Sequence, residues 1–168
     1  MGIQLRAETT DDIQAIHDLT CAAFLDAPHT AHTEQFIVAA LRDAGALTIS
    51  LIAERDDKLI GHVALSPVCI SDAEDRWYGL GPISVRPSEQ GRGVGSQLMY
   101  AAIAALEKIG AHGCVLLGDP TFYKRFGFEP IDGLVLPGFP AEYFQALMLQ
   151  GDMPQGEVTY NAAFSAQG

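Results

Sequence analysis

The apolar stretch Ile83 to Val85 leads into Gln90-Gly91-Arg92-Gly93-Val94-Gly95, which opens a long amphipathic helix; no other feature of the chain constrains its fold as strongly. A strand that ends in a glycine-rich turn and continues as a helix aims unpaired N–H groups and the positive helix end at one spot. A pyrophosphate can rest there. Gln90 and Arg92 stand beside the turn to add polar contacts. A glycine turn also serves tight bends with no ligand, so the strand before it and the helix after it carry the reading. Two common phosphate motifs are excluded by spacing. A P-loop needs Gly-Lys-Ser/Thr where this chain has Gly95-Ser96-Gln97, and a dinucleotide fingerprint needs GxGxxG with an acid on the next strand.

The elements around this turn read as α/β (α+β). Ile3 to Arg6 alternates as a strand, and Thr9 or Thr10 caps a helix carrying Ile13, Ile16, Leu19, Ala23 and Phe24. A polar break at Pro28 and His29 separates it from a second helix, capped by Thr33, carrying Phe36, Ile37, Ala40 and Leu41 and ended by Gly45. Leu47 to Glu54 and Leu59 to Ile70 form a hairpin across Arg55-Asp56-Asp57-Lys58, Ser66-Pro67 reads as a strand-ending turn, and Trp77 to Val85 adds a third strand. Pro82 inside that strand marks an edge, a bulge or a splayed end, because proline cannot donate to a ladder. A helix from about Arg92 to Ile109 follows, closed by Gly110. Then come a short buried strand Cys114 to Leu117, a short helix Pro120 to Arg125, a strand near Leu134, a helix near Ala141 to Leu149 and a strand near Val158 to Phe164.

A length of 168 residues with 48% hydrophobic content suits a single domain, residues 1–168, with a core that needs no disulfide or metal. The apolar runs are too short for a bilayer, and Met1-Gly2-Ile3-Gln4 lacks a signal region, so a cytoplasmic protein with no membrane partner is expected. Cys21, Cys69 and Cys114 lack CxxC spacing and sit among apolar neighbours, which predicts reduced core thiols and no metal site. Ten basic against 21 acidic residues give a formal charge of -11, which disfavours nucleic acid and attracts a cationic amine; solubility alone would also account for the excess.

The segment Gly81-Pro82-Ile83-Ser84-Val85-Arg86-Pro87 followed by Gln90-Gly91-Arg92-Gly93-Val94-Gly95 resembles the acetyl-CoA motif of the GNAT superfamily of N-acetyltransferases, Gln/Arg-x-x-Gly-x-Gly/Ala, on Gln90, Gly93 and Gly95. Gly118-Asp119-Pro120-Thr121-Phe122-Tyr123-Lys124-Arg125-Phe126-Gly127-Phe128 resembles its second signature, and with Gly61 to Val68 it points to the YhbS-like branch. The resemblance covers nearly the whole chain and is weaker after Pro130. It implies a mixed, mostly antiparallel central sheet splayed at its fourth and fifth strands and flanked by helices. It also implies acetyl-CoA as cosubstrate, with pyrophosphate on the N–H groups of Gly91, Arg92, Gly93, Val94, Gly95 and Ser96, pantetheine beside Ile83, Ser84 and Val85, and further contacts from Gln90, Asp119, Phe122 and Phe126.

Acetyl transfer to an amine needs a neutral nucleophile, a donor to the tetrahedral oxyanion and a proton for the departing thiolate. Tyr123 occupies the family's tyrosine position, and a phenol with a pKa of about 10 can protonate a thiolate whose thiol has a pKa of about 8.5. A core aromatic beside Phe122 and Phe126 is the structural alternative. A backbone N–H near Ile83 to Val85 would meet the oxyanion. Glu54, His62, Ser84 and Asp119 all remain open as base or water anchor; a lone strand histidine is commonly structural, and Asp119 beside Pro120 suits a helix cap.

The expected function is therefore an acetyl-CoA-dependent N-acetyltransferase in which a small-molecule or peptide amine attacks the thioester directly. The alternatives are a non-catalytic acyl-CoA binding or sensor module and a nucleotide-binding protein, the latter disfavoured by the wrong spacings. Acceptor specificity should lie in the loop Pro28 to His32 and after Pro130, where Tyr143, Phe144 and Tyr160 stand. An exposed edge strand in the C-terminal half leaves both monomer and homodimer open.

Overall fold

Strands β1 (Gln4–Ala7), β2 (Ile49–Arg55) and β3 (Lys58–Pro67) form an antiparallel meander that continues into β5 (Trp77–Val85). The computed structural model describes residues 2–27, 30–71 and 76–167, so the expected break at Pro28 and His29 lies outside the described residues. The remaining strands are β4 (Cys69–Ile70), β6 (Gly113–Leu117), β7 (Leu134–Val135), β8 (Phe144–Met148) and β9 (Gly156–Thr159). The helices are α1 (Ile13–Phe24), α2 (Glu34–Asp43), α3 (Val94–Lys108) and α4 (Pro120–Tyr123). Six strands make one sheet in the order β1-β2-β3-β5-β6-β8, and β4-β9-β7 make a second. Every pairing in the large sheet is antiparallel except β5 with β6.

The parallel pair is where the sheet opens. Register runs only from Trp77 against Gly113 to Gly79 against Val115, after which Leu80 to Val85 have no partner on the β6 side among the described residues. These are the fourth and fifth strands of the large sheet, and they splay as expected. Pro82 sits at the matching irregularity on the other edge: Val63 faces Ile83 and Leu65 faces Leu80, so Gly81 and Pro82 together oppose Ala64. This is a bulge. It places the proline where a ladder bond is already lost.

One face of the large sheet is covered by α3. Leu98, Met99, Ala102 and Leu106 pack on Val63, Leu65, Cys114 and Leu116. The approach is close at Gly61, where a Cβ would come within 2.9 Å of both Val94 and Leu98. The other face has two covers. Ile16, Leu19 and Val38 from α1 and α2 lie over Ile52, while the small sheet lays Ile70, Leu134 and Val158 over Trp77, Val115 and Ala146. A cleft is left between the two covers, above β5.

Trp77 occupies the space that glycine leaves at position 113. A Cβ there would come 2.3 Å from the indole and 2.7 Å from the Leu147 carbonyl oxygen, a backbone atom that cannot swing aside. Gly113→Ala should therefore lower stability by about 1–3 kcal/mol. A urea midpoint equal to that of the parent protein would refute this reading of the site.

Several expected elements differ. The helix near Ala141 to Leu149 is instead a single 3-10 turn, Ala141–Tyr143, followed by β8. Its residues are good helix formers, but β6 offers an open edge, and pairing along it from Gly113 against Met148 to Leu117 against Phe144 outweighs propensity. Leu59 to Ile70 is two strands: β3 ends at Pro67, and Cys69–Ile70 joins β9. The last strand stops at Thr159, and Asn161 caps a 3-10 turn at Ala162–Ser165 by accepting from the Ala163 N–H at 2.9 Å. Of the three cysteines only Cys114 is buried; Cys21 is intermediate and Cys69 exposed, because β4 lies in the outer sheet and turns that side chain to solvent.

Candidate active site

The glycine turn sits at the open end of the splay. Gly91 and Gly93 take φ of +77° and +85°, a left-handed region that only glycine enters without strain, and Gly93 is the residue from which α3 starts. The N–H groups of the first turn of α3 have no carbonyl one turn back to receive them. Arg92 is exposed at the rim and Ser96 is half-buried, while the Val94 side chain faces the core and anchors the turn from below. Gln90 folds back, its Nε2 donating to the Val85 carbonyl at 3.1 Å, so it fixes the end of β5. Arg55 pairs with Glu89, which offsets a carboxylate on the segment leading into a site suited to an anion.

Phe122 lies over this turn. A Cβ on Gly95 would come 3.6 Å from its ring, and Arg125 stands 5.0 Å above the same ring, bringing a second cation toward the turn. The sequence reading had not singled out Arg125. Phe126 is buried in the main core, edge-on to Phe122 at 5.3 Å and to Tyr100 at 5.0 Å. Asp119 caps α4, its Oδ1 accepting from the Thr121 N–H at 2.9 Å.

Tyr123 projects into the splay across Gly118, where a Cβ would come 2.4 Å from its ring. Its phenol lines the cleft above β5 together with Leu80, Gly81, Pro82 and Ile83. Burial, aided by the charge of Asp119, pushes its pKa up to about 12, so the hydroxyl keeps its proton at neutral pH. Ile83 and Val85 are half-buried against the α3 side of the sheet, and Ser84 is buried on the opposite side, facing His62 in register.

The cleft has a volume of about 460 Å³. Its walls are Phe24 from α1, Glu34 and Ile37 from α2, and Leu136, Phe139, Tyr160 and Phe164 from the C-terminal segments. Glu34 is the single charged side chain among its described lining residues. One oxygen, Oε2, accepts from Thr30 at 2.6 Å; the other, Oε1, is buried without a partner among the described residues.

Residues 47–130, which hold β2 through the second aromatic segment, match the model of an acetyltransferase (GNAT) domain. The chain belongs to the GNAT acetyltransferase family. An uncharacterized N-acetyltransferase, YhbS of Escherichia coli K12, is 38% identical over 126 residues, covering 74% of this chain and 72% of that protein. Among solved structures, a GNAT family acetyltransferase from Brucella melitensis in complex with acetyl-CoA superposes with a TM-score of 0.86 at 47% identity, covering 97% of this chain and 98% of the other. Escherichia coli YhbS in complex with CoA superposes with a TM-score of 0.88 at 33% identity, covering 99% and 93%.

Within this GNAT chain the four residues left open as base do not form one cluster: His62 and Ser84 are buried cross-strand partners, while Glu54 and Asp119 lie elsewhere. Glu54 pairs with Arg6 at 2.8 Å on the edge of the sheet, and Asp119 is engaged in capping. His62 is fully buried at the end of a polar chain: Arg42 bonds Glu8 at 2.9 and 3.0 Å, Ser50 donates to Glu8, and the Ser50 hydroxyl lies 2.8 Å from His62 Nε2. Burial lowers its pKa to about 4, with Arg42 adding to the fall and Glu8 opposing it. Above pH 6.5 the ring is neutral in folded and unfolded chains alike and contributes nothing. Between pH 6.5 and about 4 the unfolded chain takes up a proton that the folded chain refuses, so stability falls with pH through that window, by up to about 3 kcal/mol. Thermal melts of the parent and His62→Gln from pH 7.5 to 4.5 test this. The parent curve should be the steeper, and parallel curves would refute it.

Glu34 escaped the sequence reading because an acid in the first turn of a helix looks like ordinary helix-end electrostatics. The available signal was its place beside the loop already expected to face substrate.

Proposed function

We propose that this chain is an acetyl-CoA-dependent N-acetyltransferase in which a primary amine attacks the thioester directly, in a ternary complex. The observation that carries this reading is the splay between β5 and β6, which has the glycine turn at one end and the phenol of Tyr123 beside the unpaired part of β5. Pantetheine amides can pair with the β6-side N–H and C=O of Ile83 and with the N–H of Val85 as an added strand would, and pyrophosphate suits the first turn of α3. The acetyl-CoA and CoA complexes of the two structural relatives support this placement. No metal takes part in the scheme.

As the nucleophile adds, a β5 backbone N–H near Ile83 meets the oxyanion, and collapse breaks the C–S bond. Tyr123 hands its proton to the departing thiolate. Its raised pKa is no obstacle, because the same desolvation raises a thiol, as it does for Cys114 in this chain. Cys114 is wholly buried and its pKa is pushed up by burial, so it is unsuited to form an acetyl-enzyme.

Two measurements test the reading. Calorimetry should give saturable acetyl-CoA binding, and a thiol assay should show CoA release that depends on an added amine. Binding without release across small amines, peptides and basic proteins would instead favour a non-catalytic acyl-CoA module.

A further inference from the structure

Beyond β5 and the phenol, the cleft holds a second set of side chains that acetyl transfer does not itself require. Of its thirteen described lining residues, Glu34, Tyr123 and Tyr160 alone have a polar side-chain atom. The pantetheine arm would run along β5 and past Leu117, which leaves the walls from α1, α2 and the C-terminal segments to meet the acceptor. On those walls, among the described residues, one carboxylate with a buried oxygen that has no partner stands with Phe24, Ile37, Leu136, Phe139 and Phe164.

We infer that the acceptor is a primary monoamine carried on an apolar, preferably aromatic, group, and that the Glu34 carboxylate receives its ammonium. This rests on the N-acetyltransferase reading and names its substrate class. A polyamine would bring several cations to a single carboxylate and bury the others unpaired, and an aminosugar would leave its hydroxyls without partners against phenylalanine and leucine. A phenyl or alkyl group covers the same walls favourably, and the aromatic rings attract the ammonium as well.

The proton balance closes with the groups present. The ammonium gives one proton to Glu34, which passes it to solvent, and the free amine forms the C–N bond as the thioester C–S bond breaks. The second nitrogen proton replaces the one Tyr123 gave to the thiolate. The products are the amide, CoA thiol and one released proton.

The test is CoA release by the full chain, with acetyl-CoA and each of 2-phenylethylamine, hexylamine, spermidine and glucosamine. The first two should exceed the last two in kcat/KM by at least about tenfold. Glu34→Gln should lower kcat/KM for 2-phenylethylamine about a hundredfold while the acetyl-CoA Kd and melting temperature stay at parent values. Phe139→Ala, at an exposed rim position, should raise KM several-fold for 2-phenylethylamine with kcat retained. Preference for spermidine or glucosamine, or a Glu34→Gln protein as active as the parent, overturns the inference and leaves the N-acetyltransferase reading standing. If acetyl-CoA binds and none of these amines releases CoA while a peptide or basic protein does, the inference alone falls; an absence of release with acceptors of every class removes both readings.

Discussion

Tyr123→Phe is expected to lower kcat by about 10²–10³-fold and to leave the Kd for acetyl-CoA and the melting temperature close to those of the parent. The ring packs edge-on against Phe122 at 4.9 Å and Phe128 at 6.4 Å and lies across Gly118, all of which phenylalanine preserves. The oxygen alone is removed. It makes no hydrogen bond to another described side chain that would hold the fold, so its loss should be felt in chemistry and not in stability. With the phenol pKa pushed up to about 12, the group keeps its proton well above neutral pH, and the alkaline limb of the rate profile should not report its titration below pH 10. An unchanged kcat would remove Tyr123 from the mechanism, whereas a melting temperature several degrees lower would mark it as structural.

Phe128→Ala should have the largest effect on stability, about 3–5 kcal/mol. Phe128 is 1% exposed and sits in the main core with Phe126, Leu116 and Met99. Truncation leaves a cavity that β6, α3 and the α4 segment cannot close together, since each is held by its own contacts. Measured against a total stability of about 5–15 kcal/mol, the loss is large, and at roughly 2–4 °C per kcal/mol it corresponds to a fall of about 6–20 °C in melting temperature. Calorimetry checks it. Because Phe128 also backs the Tyr123 ring, kcat of the fraction that remains folded should fall too; a shift under about 3 °C would mean that the site collapses without a cavity.

How much could be read in advance varies from element to element. The glycine turn was legible because left-handed backbone at Gly91 and Gly93 demands glycine and leaves a fixed spacing behind. Pro82 was legible for the converse reason: a residue without an N–H must stand where a ladder bond is missing. The segment Ala141 to Met148 was not, because helix-forming residues became β8 through an edge supplied some 30 residues earlier in the chain by β6. His62 had the residue type of a neutral-pH base. Only the packing of β2, β3 and the first helices around it shows a ring whose pKa burial lowers to about 4.

The sequence by itself determined the acetyltransferase family, the sheet with its splay, and the glycine turn at its mouth, since each depends on local backbone geometry that few residues satisfy. Tertiary structure decided the cleft proposed to take the acceptor. Glu34, Phe139, Tyr160 and Tyr123 come from four separate segments and share no spacing, and they form one cleft only because α2 and the C-terminal strands cover the same face of the sheet from opposite ends.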